Sequence, residues 1–153
     1  MKKRLLFVVA LAMASSASLF AQSSEGLTQQ EVSGTEHVGT WKLVKQKIVF
    51  ADGKVHIGDS SNVFQRKILT PTHFVVTIER PNPRAGGKKF VASAAGGRYT
   101  LVDGQYAELT EYASFPGYEE LEVNYELYVE GDTLHTVGKV NDDTFEETYI
   151  REN

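Results

Sequence analysis

The chain has 153 residues, of which 41% are hydrophobic and 24% charged, so it is long enough for one globular domain and too short for two. It contains no cysteine, which excludes disulfides, thiolate metal sites, iron–sulfur clusters and the acylated cysteine of a bacterial lipoprotein. Its net charge of -4 offers no basic surplus for a phosphate backbone, so we expect no nucleic-acid partner.

Residues 1–21 have the pattern of a secretory signal peptide. A positive head, Lys2-Lys3-Arg4, precedes an apolar run over residues 5–14 and the small-residue stretch that ends at Ala21. The apolar run is short for a bilayer anchor, so we predict cleavage after Ala21 and a mature chain without a membrane span. Export of a cysteine-free domain indicates a secreted or periplasmic protein of the Gram-negative type.

Residues 22–37 are polar and lack periodicity, which predicts a flexible lead-in to a folded domain over residues 38–153. In that domain hydrophobicity alternates with period two, and no window predicts a long amphipathic helix. The predicted strands cover residues 39–50, 63–70, 72–80, 89–94, 98–102, 105–113, 121–129, 133–140 and 144–151.

Short strands at hairpin spacing leave two architectures, a sandwich and a closed up-and-down barrel. The short connections favour a meander, and a barrel also removes the exposed edges that would pair with other chains. We therefore predict an all-β fold, an antiparallel up-and-down barrel of eight to ten strands.

Several motifs of the domain are similar to those of known barrels. Gly39-Thr40-Trp41 resembles the Gly-x-Trp signature of lipocalin and calycin barrels. With Leu69-Thr70-Pro71-Thr72-His73-Phe74, Gly96-Gly97-Arg98-Tyr99 and Val129-Glu130-Gly131-Asp132, the chain resembles a lipocalin-like domain-of-unknown-function family of secreted bacterial proteins. The resemblance implies that Trp41 closes the barrel floor and that Arg151 lies across its indole. The resemblance does not imply an activity, because that family has no settled one.

A barrel of this size has room for one small ligand. Sequence leaves the registers open, so the candidate lining is chosen from polar and aromatic side chains on the strands and in the loop at residues 114–119. These candidates are His73, Arg66, Arg98, Tyr99, Glu111, Tyr112, Phe115 and Tyr118. We expect a partly apolar ligand, whether lipid-like, aromatic or sugar-like, held by a monomer or dimer without a cofactor.

Two other functions stay open. The first is a small barrel isomerase, cyclase or hydrolase, in which Glu111 and Tyr112 would supply a base and a proton donor near His73 and Arg98. The second is an envelope interaction protein with a filled core. The simpler interpretation of Glu108 and Glu111 is that both carboxylates lie on the outer face of the barrel in contact with water.

The four histidines do not have metal-ligand spacing, so we expect no metal site. Alternation with Leu134 predicts that the imidazole of His135 points outward, and His37 and His56 are predicted to be solvated.

Overall fold

The structure is a computed structural model, and it describes residues 34–153. The predicted signal peptide and most of the predicted lead-in lie outside the described residues. The strands are β1 (Gly39–Val49), β2 (Val55–Asp59), β3 (Phe64–Leu69), β4 (His73–Pro81), β5 (Lys89–Val102), β6 (Gln105–Ala113), β7 (Val123–Glu130), β8 (Thr133–Val140) and β9 (Asp143–Glu152). Two single 3-10 turns, Pro83–Ala85 and Tyr118–Glu120, are the helical elements of this region, and neither approaches the length of a bilayer-crossing helix.

The strands form a closed antiparallel barrel. Each strand from β3 to β8 pairs with the next one in sequence, and β1 pairs with both β3 and β9, so eight strands close on themselves. The ninth strand, β2, is a short hairpin return that pairs with the second half of β1. The predicted all-β, up-and-down barrel is confirmed.

Nine strands are predicted and nine are observed within residues 34–153, but the two sets are not the same: β2 was not predicted, and β5 was predicted as two strands. The hydrophobic residues of β2, Val55 and Ile57, are 57% and 61% exposed, and the one buried residue of this strand is Gly58, so it has no apolar face toward the core. Strand β5 runs without interruption through Gly96 and Gly97, where a break was predicted. A Cβ on Gly97 would lie 2.1 Å from the carbonyl oxygen of Leu109, so this glycine permits a close approach of two strands.

A bulge in β1 changes which side chains point inward. The pairing with β9 shifts register between Leu43 and Lys45, which leaves one extra residue in β1. Trp41 and Leu43 are buried before the shift, and Gln46 is the next buried residue after it. The bulge therefore turns Gln46 into the barrel.

The end of the barrel where β1 begins is closed by packed side chains. Its large buried residues include Trp41, Leu43, Leu69, Phe74, Leu134 and Tyr149.

The guanidinium of Arg151 lies 4.1 Å from the centre of the Trp41 ring and donates to the carbonyl of Val38 at 2.9 Å. The indole N–H donates to the carbonyl of His37 at 2.8 Å. The last residues of the predicted lead-in thus pack on this closed end.

Candidate functional site

The opposite end of the barrel is hollow. A cavity of about 540 Å³ opens where β1 ends and where β3, β7 and β9 begin, and its lining comes from β1, β3, β4, the turn at Tyr118 and β6 to β9. This volume is in the range of sites that hold one small organic molecule.

The walls of the cavity are mostly apolar. They are formed by Ile48, Val63, Val76, Ile78, Leu121, Val123, Val140 and Phe145. Phe50, His56, Asn62, Arg80 and Tyr118 contribute at the mouth. A partly apolar molecule would bury its hydrocarbon surface against these walls.

A buried carboxylate, that of Glu147 on β9, forms part of the polar floor. Its Oε1 accepts hydrogen bonds from the amides of Gln46 at 2.7 Å and Gln65 at 3.4 Å. Its Oε2 accepts from the hydroxyls of Tyr149 at 2.6 Å and Thr136 at 3.2 Å. The Tyr149 hydroxyl in turn accepts from the Gln65 amide at 2.7 Å. Four neutral donors thus converge on one carboxylate from β1, β3, β8 and β9.

A buried ion pair completes the floor. The ammonium of Lys67 lies 2.9 Å from Glu108 Oε1, and the two side chains are only 4% and 5% exposed. The Tyr106 hydroxyl donates to the same oxygen at 2.8 Å. Lys67 Nζ also lies 5.1 Å and 5.2 Å from the ring centres of Tyr106 and Tyr125, so aromatic faces take up part of its charge.

Tyrosines around the cavity remain neutral at physiological pH. Burial, together with the negative charges of Glu108 and Glu147, raises the pKa of Tyr118 to about 12. Burial and the same two carboxylates raise the pKa of Tyr125 well above its usual value. Their hydroxyls therefore stay protonated and carry no negative charge into the cavity.

Two of the predicted site residues lie at the cavity end, and one lies inside the closed end. Tyr118 lines the mouth, and the exposed ring of Phe115 packs edge-on against it at 5.1 Å. Tyr99 is buried at the closed end, where its hydroxyl donates to the carbonyl of Thr70 at 2.6 Å and lies 2.7 Å from His37 Nε2. Tyr99 therefore packs the closed end of the barrel and does not line the cavity.

The other predicted lining residues require a correction, because they lie on the outer surface: Arg66, His73, Arg98, Glu111 and Tyr112. Arg66 is held between Glu79 and Glu152 across the outside of β3, β4 and β9, and these carboxylates raise its pKa. Arg98 donates to Glu111 at 2.7 Å on the outer face, opposite His73 in the register. The residues considered for acid–base chemistry therefore lie near one another, but they lie on the outer surface and not in the interior cavity.

A bulge in β6 explains the position of Glu111 and Tyr112. Gly97 pairs with Thr110 and Gly96 with Tyr112, so Glu111 is an extra residue in β6. The side chains of Glu111 and Tyr112 are both exposed. The Tyr112 side chain covers Gly96 from outside, and its hydroxyl oxygen lies 2.3 Å from where a Cβ on Gly96 would be.

Sequence reasoning missed most of the cavity floor. On β3, Arg66 was a predicted lining residue, but Gln65 and Lys67 are the residues that point inward. The ammonium of Lys89 lies 4.0 Å from the ring centre of Phe64. Glu108 is buried and not a solvated outer residue. The signal available in the sequence is that Gln65 and Lys67 alternate onto the same face of the strand as the apolar residue Leu69.

The three histidines that were not predicted to line the cavity lie in three different environments. His135 stacks on Tyr128 at 4.7 Å, on the opposite face of β8 from the buried Leu134. His37 is half-buried and not solvated as predicted, and burial lowers its pKa although the Gly34 backbone opposes this effect. His56 is exposed at the cavity mouth.

Within residues 34–153, no three His, Asp or Glu side chains are grouped so that they could hold a metal ion. The polar groups of the cavity instead form hydrogen bonds and one ion pair. Comparisons of the chain with protein-family models, curated proteins and solved structures give no match. The geometry of the cavity is therefore the basis for a functional conclusion.

Proposed function

We propose that this is an exported, lipocalin-like binding protein that holds one small, partly apolar molecule inside its barrel. The observation that carries the proposal is the cavity of about 540 Å³, which combines apolar walls with a buried polar floor. Apolar walls supply affinity by removing hydrocarbon from water, and a few fixed polar groups orient the ligand.

The cavity also bears on the two alternatives. An interaction protein would use a filled core and exposed loops, whereas here the interior is hollow at one end. The enzymatic alternative placed Glu111 and Tyr112 near His73 and Arg98 within the cavity, and all four side chains are exposed on the outer surface. Binding is therefore the function that the geometry supports best.

Native mass spectrometry of the protein purified from the compartment to which its host exports it tests this proposal. We expect the folded protein to retain a small molecule that is released on unfolding. Replacing Val140, which lines the cavity, with phenylalanine should abolish retention by filling the space. The matched variant Val137→Phe, on the exposed face of the same strand, should retain the molecule.

Equal retention by Val140→Phe and Val137→Phe would place the bound molecule elsewhere and contradict the proposal. So would a folded wild-type protein that carries no small molecule and binds none of the probes described below.

A further inference from the structure

The charges around the cavity indicate what kind of ligand it takes, an inference that rests on the binding function proposed above. One basic and two acidic side chains are buried in the floor: Lys67, Glu108 and Glu147. Arg80 also contributes to the lining, but its side chain is exposed at the mouth, where water screens its charge. The buried floor therefore contains one cationic side chain and two carboxylates.

Lys67 and Glu108 neutralise each other. They are in direct contact at 2.9 Å, and the ammonium is flanked by two tyrosine rings. No ion pair formed by residues 34–153 includes Glu147. Its four hydrogen-bond donors are all neutral, and they suit the ionised form, which only accepts hydrogen bonds. One buried negative charge thus has no cationic partner in the described chain.

The amides beside Glu147 add unpaired acceptors. A carboxylate has no proton to donate, so the NH₂ groups of Gln46 and Gln65 must face it, which fixes the orientation of both amides. Their carbonyl oxygens then have no hydrogen-bond partner within residues 34–153. Both glutamines line the cavity, and they are only 6% and 8% exposed. Among residues 34–153 the one buried side-chain polar atom without a partner is the Thr110 hydroxyl, so the two amide oxygens are not sealed from solvent. They stay open to the cavity as acceptors that a donor on a ligand could satisfy.

We propose that the cavity binds an organic cation, a primary or secondary ammonium group carried on an apolar or aromatic body. The ammonium would lie against Glu147 and the carbonyls of Gln46 and Gln65, where it supplies both the missing charge and the missing donors. The body would extend between the apolar walls toward Phe145 and the mouth.

Three probes that share one body and differ in the head group test the charge preference: 4-phenylbutylamine, 4-phenylbutanol and 4-phenylbutyrate. Isothermal titration calorimetry on the purified protein at neutral pH should give an affinity for the amine roughly tenfold or more above that for the alcohol, and the weakest binding for the acid. This series needs no variant, so it remains decisive if substitutions impair folding.

Glu147→Gln removes the charge and keeps nearly the same shape. We expect it to lower amine affinity roughly tenfold and to change alcohol affinity much less. The matched control is Glu146→Gln on the adjacent, solvent-facing position, where the carboxylate pairs with Lys47 on the outer surface; it should leave both affinities unchanged.

The outcomes separate the two proposals. If the alcohol or the acid binds as tightly as the amine, the charge preference is wrong and interior binding stands. If none of the three probes binds, the ammonium preference is contradicted. The binding proposal is contradicted as well only if native mass spectrometry also finds no retained molecule. If Glu146→Gln weakens amine binding as much as Glu147→Gln, the effect is one of net charge and the assigned ammonium position is wrong.

Discussion

Lys67 is a charged residue placed where hydrophobic residues are the rule. Its side chain is 4% exposed, and removing a charge from water is costly unless an opposite charge and hydrogen bonds replace the solvent. Glu108 supplies the charge, and the rings of Tyr106 and Tyr125 cover the ammonium. Lys67 and Glu108 must therefore be considered as one unit, since loss of either leaves the other charge buried without compensation.

Replacement of Lys67 with methionine should destabilise the fold strongly, because it leaves the Glu108 carboxylate buried without a cation. We expect a loss of about 3–5 kcal/mol in the free energy of unfolding, measured by urea denaturation followed by circular dichroism. Replacing both partners, in Lys67→Met/Glu108→Met, should recover a large part of that loss.

The surface pair Lys47–Glu146 is the control, since its side chains are 43% and 48% exposed. Lys47→Met should cost less than about 1 kcal/mol. Similar losses for Lys47→Met and Lys67→Met would mean that the ion pair beneath the cavity is not buried in solution.

At the scale of single strands, sequence alternation predicts the register where only one face is apolar. On β7, Val123, Tyr125 and Leu127 alternate with Glu122, Asn124 and Glu126, a pattern that predicts which face points inward. All three hydrophobic residues are buried. Strand β8 was likewise predicted with its observed bounds, Thr133–Val140.

Alternation fails where the inner face is polar or where a bulge intervenes. The inward polar residues of β3 are stabilised by partners on distant strands, such as Glu108 for Lys67, and those contacts exist only once the barrel has closed. The bulges in β1 and β6 reverse the phase within a strand, and no residue in either segment marks them. The barrel could thus be predicted from sequence, whereas the floor of its cavity could not.

Strand β5 depends on Gly97 for its pairing with β6. An added Cβ would meet two backbone atoms of β6, the Leu109 oxygen at 2.1 Å and the Glu111 nitrogen at 2.7 Å, so no side-chain rotation relieves the clash. Gly97→Ala should lower the free energy of unfolding by about 2–3 kcal/mol in chemical denaturation.

Thr100→Val, an isosteric change at an exposed position of the same strand, should alter the free energy of unfolding by less than about 0.5 kcal/mol. A Gly97→Ala variant as stable as this control would show that β5 and β6 do not approach as closely as described.

The whole molecule divides into a packed end and a hollow end. The packed end contains Trp41 under Arg151 and the buried ring of Tyr99, and it supplies the rigid core of the barrel. The hollow end combines apolar walls with the buried groups around Glu147. Because each strand runs through both ends, the packed end fixes the positions of the side chains that surround the cavity.

Intermolecular nuclear Overhauser effects test most directly whether a small molecule binds inside the barrel. The protein is labelled at its isoleucine and valine methyl groups and saturated with the tightest-binding of the three phenylbutyl probes. We predict contacts from the phenyl protons to the methyl groups of Ile48, Val123 and Val140, which line the cavity, and none to the outward-facing Val137 and Ile150. Contacts confined to Val137, Ile150 or other exterior methyl groups would contradict the account.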